Sequence, residues 1–539
     1  MSTLVKEHGV GRTSATASIG TLGSRLLGFV RNWLLVIAIG TGVLGDAYNF
    51  ANNIPNMIFL LLGGGTIAAV FVPRLVDAYG QSEADGDRYS TFLVLAAVLF
   101  GVFATVVVFV CFMVVLRNLV TSESDFGSEA TRVFAFWCIP QVFFFAIIAA
   151  LIQIVNAKGR FAAVSWSYAI SSVLVIGASV AIIILSTRWG AASIGDEQWP
   201  IAILGAATLS GTALQAVMVW TIARNVGFRF KRFHTIKGLH LRETLRTGAW
   251  TVAAAACYQI SGLIVAVVAL NVGFSGGNQS RGYAALSNAQ MILYFAQAII
   301  VANVANVMLQ RLSRELSAGR QHESAKLMRL CLIRSTTLLA PVCGVAIVAG
   351  PSVVTVVYSF GANSLSSARF IGELVMLLFI GFVPFGLHSI LIRPHYAMKN
   401  AVPPLWSAIR INLVWIGLSL ASAAILPDRY VALGLALSFV AAYSIDLPVK
   451  LHGLKGGLVV YEATDRRTVV RVCIALLGGV VVAYGCSAVL SSMTGSGGVS
   501  VVSLLIKTLV STIVFLAVYA AITRRSEGSL IQSVQWLLR

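Results

Sequence analysis

Charge is the scarcest thing in this sequence. Only 11% of its 539 residues are Asp, Glu, Lys or Arg, against roughly 25% in a soluble domain, which excludes an ordinary water-soluble fold. No stretch between the apolar runs is long enough to make a separate soluble domain. Cysteine is sparse and unpatterned: Cys111, Cys138, Cys257, Cys331, Cys343, Cys473 and Cys486 lie in or beside apolar runs. They show no CxxC or Cys/His spacing, so neither a zinc site nor a disulfide framework is indicated. There is no Walker A sequence, no HExxH and no GxSxG set between a strand and a helix, so no enzyme or cofactor chemistry is expected. The N-terminus up to Arg12 lacks the brief apolar core and small-residue cleavage site of a signal peptide, and the first apolar helix is expected to be retained.

What is abundant is hydrophobic residue, at 58% of the chain, with a mean hydropathy of +0.87. A helix rising 1.5 Å per residue crosses ~30 Å of hydrocarbon in about 20 residues, and apolar runs of that length recur from end to end. They predict an all-α polytopic membrane protein with about fourteen transmembrane helices. The expected spans are 14–40, 46–72, 91–116, 130–154, 161–186, 200–223, 247–272, 284–309, 328–358, 370–392, 403–426, 430–449, 469–492 and 500–523. The turn signal Pro427-Asp428-Arg429 divides the eleventh from the twelfth.

The net charge of +19 is carried by short loops, with no aromatic-rich basic domain, so membrane lipid and not nucleic acid is the expected partner. With the N-terminus inside, roughly 29 of the basic residues fall in inner loops and roughly 6 in outer ones, which places both termini in the cytoplasm. The densest inner segment holds Arg224, Arg229, Lys231, Arg232, Lys237, Arg242 and Arg246. It lies near the middle of the helix count and invites a search for an internal repeat. Val70–Leu75 (VFVPRL) is echoed by Val307–Leu312 (VMLQRL), 237 positions on, and Asn156–Arg160 by Ala397–Ala401, 241 positions on. Two similar offsets predict two six-helix lobes in parallel pseudo-repeat: an N-lobe over 1–226, a basic linker over 227–246, a C-lobe over 247–452, and two added helices with a tail over 453–539. The tail from Gly528 to Arg539 reads as a short amphipathic helix on the inner surface. Two lobes joined by a linker suit a transporter that rocks around a central cavity.

Polar groups within apolar helices are costly, and are functional candidates for that reason. The first helix carries Arg25 and Arg31, about 9 Å apart along the axis. Guanidinium forks bind phosphate oxygens bidentately, although pairing with an acid or reaching to the inner surface would also house them. Asp46, Asn49, Asn53 and Asn56, at spacings of three, four and three, form a stripe down the second helix, interrupted by Pro55. Ser287, Gln290, Tyr294 and Gln297 repeat the spacing in the eighth helix. The stripes are expected to line a central cleft, with interhelical hydrogen bonding as the plainer reading. Glu373 with Arg369, and Asp446 with Lys450, read as local helical pairs at four-residue spacing. Arg393 and His395 lie where they can meet lipid headgroups.

Ser24-Arg25-Leu26-Leu27-Gly28-Phe29-Val30-Arg31, Gly45-Asp46-Ala47-Tyr48, Pro55-Asn56 and Val70-Phe71-Val72-Pro73 together resemble the MurJ (MviN) family of lipid II flippases in the MOP exporter superfamily. The resemblance continues more thinly through Gly159-Arg160-Phe161, Arg311-Leu312-Ser313-Arg314 and His395-Tyr396-Ala397-Met398-Lys399. It implies fourteen helices, flipping of lipid II between leaflets of the bacterial cytoplasmic membrane by alternating access, and a place beside cell-wall synthesis proteins. It also implies functional roles for Arg25, Arg31 and Asp46. The chain departs from the pattern at Phe59 and Leu60, where the family commonly has an arginine pair, at Gly63-Gly64-Gly65, where it often has Ala-Glu-Gly, and near Met291, where some members have an arginine. Those departures leave room for two other readings: a related exporter of another substrate, such as an oligosaccharide-lipid or a drug, or a non-transporting scaffold for envelope synthesis. Without a nucleotide site, transport would draw on an ion gradient, the membrane potential or the substrate's own gradient.

Overall fold

The computed structural model describes residues 7–63, 66–119, 125–159, 161–189, 199–231, 241–275, 281–398, 400, 402–453, 463–493 and 501–524. Every regular element among them is a helix. The chain separates into two compact units. The first comprises residues 1–259, 273–280 and 361–363, and the second residues 260–272, 281–360 and 364–539.

The first unit contains α1 (Glu7–Ile39), α2 (Val43–Gly63), α3 (Thr66–Gln81), α4 (Glu83–Leu119), α5 (Asp125–Cys138), α6 (Gln141–Ala157), α7 (Phe161–Trp189), α8 (Trp199–Asn225) and the start of α9 (Leu241–Ser275). Its centre is α6, which packs against α2, α3, α4 and α8 and buries Phe145, Ile148, Leu151, Ile154 and Val155 in one apolar cluster with Tyr89, Val219 and Phe228. The lipid-facing side is as apolar as the core, with Leu99, Phe103, Val106 and Val110 of α4 exposed. Burial of apolar area therefore cannot drive the helices together as it does in water, and close contact at small residues takes over. Gly101 of α4 lies against Phe143 and Ala146 of α6, and Gly211 of α8 against Ser171 of α7. At the end of α1 the chain turns through Gly40 at a φ of +71°, a conformation that costs glycine nothing. Residues 361–363 dock there, the Ala362 N–H donating to the Ile37 carbonyl at 2.8 Å and Thr41 Oγ1 to Asn363 Oδ1 at 2.9 Å.

The second unit contains most of the C-terminal half of α9, then α10 (Tyr283–Ser317), α11 (Gln321–Tyr358), α12 (Leu365–Ile380), α13 (Phe382–Leu391), α14 (Arg393–Ala397), α15 (Val402–Ile425), α16 (Asp428–Gly453), α17 (Ala463–Met493) and α18 (Val501–Thr523). α11 packs against α10, α12, α13, α17 and α18. The last helix is seated by Phe515, which lies over Gly344 of α11 and Gly479 of α17, and by Tyr519, whose hydroxyl donates to the Thr337 carbonyl at 2.9 Å. Pro341 and Pro351 stand within α11 and Pro448 within α16, tolerated because neighbouring groups can take up the freed carbonyls. Two such groups are tyrosine hydroxyls: that of Tyr519 donates to the Thr337 carbonyl, which Pro341 frees, and that of Tyr484 to the Ile347 carbonyl, which Pro351 frees, at 3.0 Å.

The described residues of the fourteen predicted segments are mainly helical, but the count of fourteen spans is not reached among them. Eleven helices among the described residues are long and apolar enough to cross a membrane, or twelve if one bent pair is a single span. The pair is α12 with the run Phe382–Ala397, which meet at 47° at Gly381, where Val440 of α16 presses close. α2 ends at Gly63 and α3 begins at Thr66; Gly64 and Gly65 lie outside the described residues. The predicted fourth span is α5 and α6 around a turn at Ile139 and Pro140, where the Val142 N–H donates to the Ile139 carbonyl. α1 and α2, which bear the candidate arginines and asparagines, are not among the eleven. The side chains at 70–73, most of the linker at 227–246 and the tail after Arg524 also lie outside the described residues.

Candidate functional site

Arg25 and Arg31 lie on α1, Arg25 exposed and Arg31 half-buried. Neither meets a carboxylate within ion-pair distance among the described residues. Arg31 uses one N–H, from Nε to Asn32 Oδ1 at 3.1 Å. A guanidinium carries five N–H donors and never deprotonates, so most of the fork on each arginine remains open to an anionic ligand.

Asp46 is fully buried in the first turn of α2. Asn49, Asn53 and Asn56 follow down the helix, each half-buried. Asn49 donates to the Gly45 carbonyl at 2.8 Å and Asn56 to the Asn52 carbonyl at 2.7 Å. These bonds to the preceding turn hold each amide's nitrogen against its own helix. The sequence pattern passed over Asn52, which the structure makes part of a relay. Its Oδ1 accepts from Gln141 Nε2 of α6 at 3.4 Å, and Gln141 Oε1 accepts from Thr212 Oγ1 of α8 at 2.9 Å. One turn away Tyr48 and Thr208 share a hydroxyl bond at 3.0 Å. Gln141 shares its helix with Gln153 and Asn156, and Thr212 falls between Thr208 and Gln215 at spacings of four and three, a periodic signal that could have pointed to it.

Phe59, one of the departures, has its own use. Its ring packs 4.8 Å from Phe145 and 6.3 Å from Tyr168, so an apolar contact between α2, α6 and α7 occupies this position. Leu60 beside it is exposed.

In the second unit Ser287, Gln290 and Gln297 of α10 are half-buried and Tyr294 is exposed. Gln297 Nε2 donates to Ser389 Oγ of α13 at 3.3 Å, and the Tyr294 ring lies 5.9 Å from that of Phe385. Between them, Asn288 is buried and bonded to the Ala284 carbonyl. Glu373 and Arg369 do not pair as expected. Asp446 departs further from expectation. Lys450 Nζ stands 3.7 Å from its Oδ2, but Arg410 of α15 is the closer partner, with Nε and Nη2 at 3.0 and 2.8 Å from Oδ1. Ser407 Oγ donates to Oδ2 at 2.6 Å, while Lys450 reaches His388 Nδ1 of α13 at 2.7 Å. Three helices, α13, α15 and α16, thus meet in an ionic cluster that four-residue spacing described only as a pair.

Eleven or twelve helices long and apolar enough to cross a membrane, among the described residues, define a polytopic membrane protein. Its fold is shared with solved transporters: an inward-facing multidrug resistance MATE family transporter of the MOP superfamily superposes with a TM-score of 0.65 at 13% identity, over 80% of this chain and 94% of its own. A lipid II flippase MurJ in an inward closed conformation superposes with a TM-score of 0.73 at 19% identity, over 94% of this chain and 98% of its own. The sequence profile of the lipid II flippase MurJ family matches residues 35–508, and the chain belongs to that family. Among curated relatives, a probable lipid II flippase MurJ of Rhizobium tropici is 25% identical over 488 residues, 87% of this chain and 85% of the relative. That of Rhizobium meliloti (strain 1021) is 24% identical over 404 residues, 72% and 71% respectively.

Proposed function

We propose that this chain flips lipid II, the lipid-linked peptidoglycan precursor, from the inner to the outer leaflet of the bacterial cytoplasmic membrane by alternating access, with both termini in the cytoplasm. The observation that carries the reading is the family match across residues 35–508. The chemistry of α1 agrees with it. Arg25 and Arg31 present open guanidinium forks suited to a pyrophosphate, and Asn49, Asn53 and Asn56 offer amide oxygens to hydroxyl and N–H groups of a sugar. Ser287, Gln290, Tyr294 and Gln297 are the corresponding polar groups of the second unit. The polyprenyl tail stays in lipid, where its transfer costs nothing, and only the headgroup needs a polar path.

The test is lipid II exposure on the outer face of cells depleted of their own flippase and carrying this chain, read with an external enzyme that reaches only outward-facing lipid II. Restored exposure that Arg31→Ala abolishes at equal membrane level is the expected result. A well-inserted wild type that restores none would overturn lipid II as the substrate, and would favour an exporter of another substrate, as Phe59 and Leu60 in place of cations would then suggest.

A further inference from the structure

The ionic cluster of the second unit borders a cavity of about 370 Å³, within the range of small-molecule sites. Lys450, Arg410 and His395 line it, together with Trp406, Val402 and Val449. Among the described residues no carboxylate lines it: Asp446, which pairs with the two cations, is almost wholly buried. Arg410 spends two of its five N–H groups on Asp446 Oδ1, which leaves three without a protein partner. The ammonium of Lys450 has three N–H groups; one goes to His388 Nδ1. With Lys450 as the donor of that bond, His388 Nδ1 carries no proton, and the cluster sets two cations, Arg410 and Lys450, against one carboxylate. Lys450 is more than nine-tenths buried, where an uncompensated charge costs several kcal/mol.

That excess calls for an anion, and the walls say which kind. Trp406, Val402 and Val449 are exposed on the outside of the helices. Tryptophan favours the headgroup level of a bilayer. We propose that this cavity is a binding site for the phosphate of an anionic membrane phospholipid, held by Arg410 and Lys450 with His395 beside them, while the acyl chains lie along Val402, Trp406 and Val449. The assignment does not rest on the flippase reading, because it concerns a lipid that stays bound and a cluster outside α1 and α2.

The experiment uses the full-length protein in detergent, titrated with phosphatidylglycerol, phosphatidylcholine or inorganic pyrophosphate, with bound lipid counted by native mass spectrometry. Phosphatidylglycerol is expected to bind saturably and phosphatidylcholine weakly, since its choline already neutralises the phosphate. Lys450→Gln removes a charged donor and should weaken phosphatidylglycerol by about tenfold or more. Val449→Trp fills the cavity from its exposed side without touching a charge, and should weaken it as much. Arg466→Gln, an exposed arginine at the start of α17, should leave it unchanged. Equal binding by wild type and Val449→Trp, or no preference for phosphatidylglycerol over phosphatidylcholine, would overturn the site. Saturable pyrophosphate binding without phosphatidylglycerol binding would overturn the lipid as its source.

Discussion

Arg329 of α11 grips Asp465 of α17 with two parallel hydrogen bonds, Nε to Oδ2 at 2.7 Å and Nη2 to Oδ1 at 2.8 Å. The carboxylate is 2% exposed and the guanidinium side chain 16%, so water screens the pair little. Removing one partner strands a buried charge, at a cost of about 3 kcal/mol or somewhat more. Asp465→Ala should therefore lower thermal stability in detergent, and Arg329→Met with Asp465→Leu should recover most of the loss. Circular dichroism melts of the two variants check this. A double variant as unstable as the single one would show that the pair contributes more than mutual neutralisation.

The seat of the last helix gives a second prediction. A side chain at position 344 or 479 would run into the ring of Phe515, which is fully buried. Gly344→Val should push α18 off α11 and cost about 1–3 kcal/mol by overpacking. Gly478→Ala, one position from Gly479 but facing open space, should cost nothing measurable. Protease cleavage of the segment between α17 and α18 would report the loosening directly.

The relay from Asn52 through Gln141 to Thr212 should behave as a unit. Gln141→Leu leaves the other two groups without their mutual partner, at a cost of about 1–3 kcal/mol. Thr212→Val should cost less, because the Thr212 hydroxyl already shares its proton with the Thr208 carbonyl at 3.0 Å. Thermal unfolding of the two single variants and the double variant measures the coupling, and strictly additive losses would argue against a relay.

Arg31 is expected to be intolerant even of lysine. An ammonium keeps the charge but not the planar fork that meets two phosphate oxygens at once. In the outward-exposure assay Arg31→Lys should fall below wild type by about tenfold and Arg31→Ala further, both at normal membrane abundance. Activity of Arg31→Ala equal to wild type would remove this residue from headgroup recognition.

Local pattern was enough for the elements of this protein. An apolar run of twenty residues has to be helical in hydrocarbon, because no water is present to satisfy its backbone, and the described residues of the predicted spans are mainly helical, with breaks at Ile139-Pro140 and at Gly381. The asparagines of α2 were legible from pattern too: an acid and three amides on one face of an apolar helix stand out by period. Periodicity does not reach across helices, and that is where expectation and structure part. Asp446 was matched with Lys450, its neighbour four residues away, yet its closest partner is Arg410, 36 residues earlier, and Lys450 turns to His388, 62 residues away. Gln141 and Thr212 stand 71 residues apart, and Phe59 looked like a lost cation until Phe145 was found against it. Burial beside a given neighbour depends on how the helices cross, which side-chain volume and close packing set jointly for the whole unit. Hydropathy records only that each segment prefers lipid to water, and so names the helices without naming the neighbours each one meets.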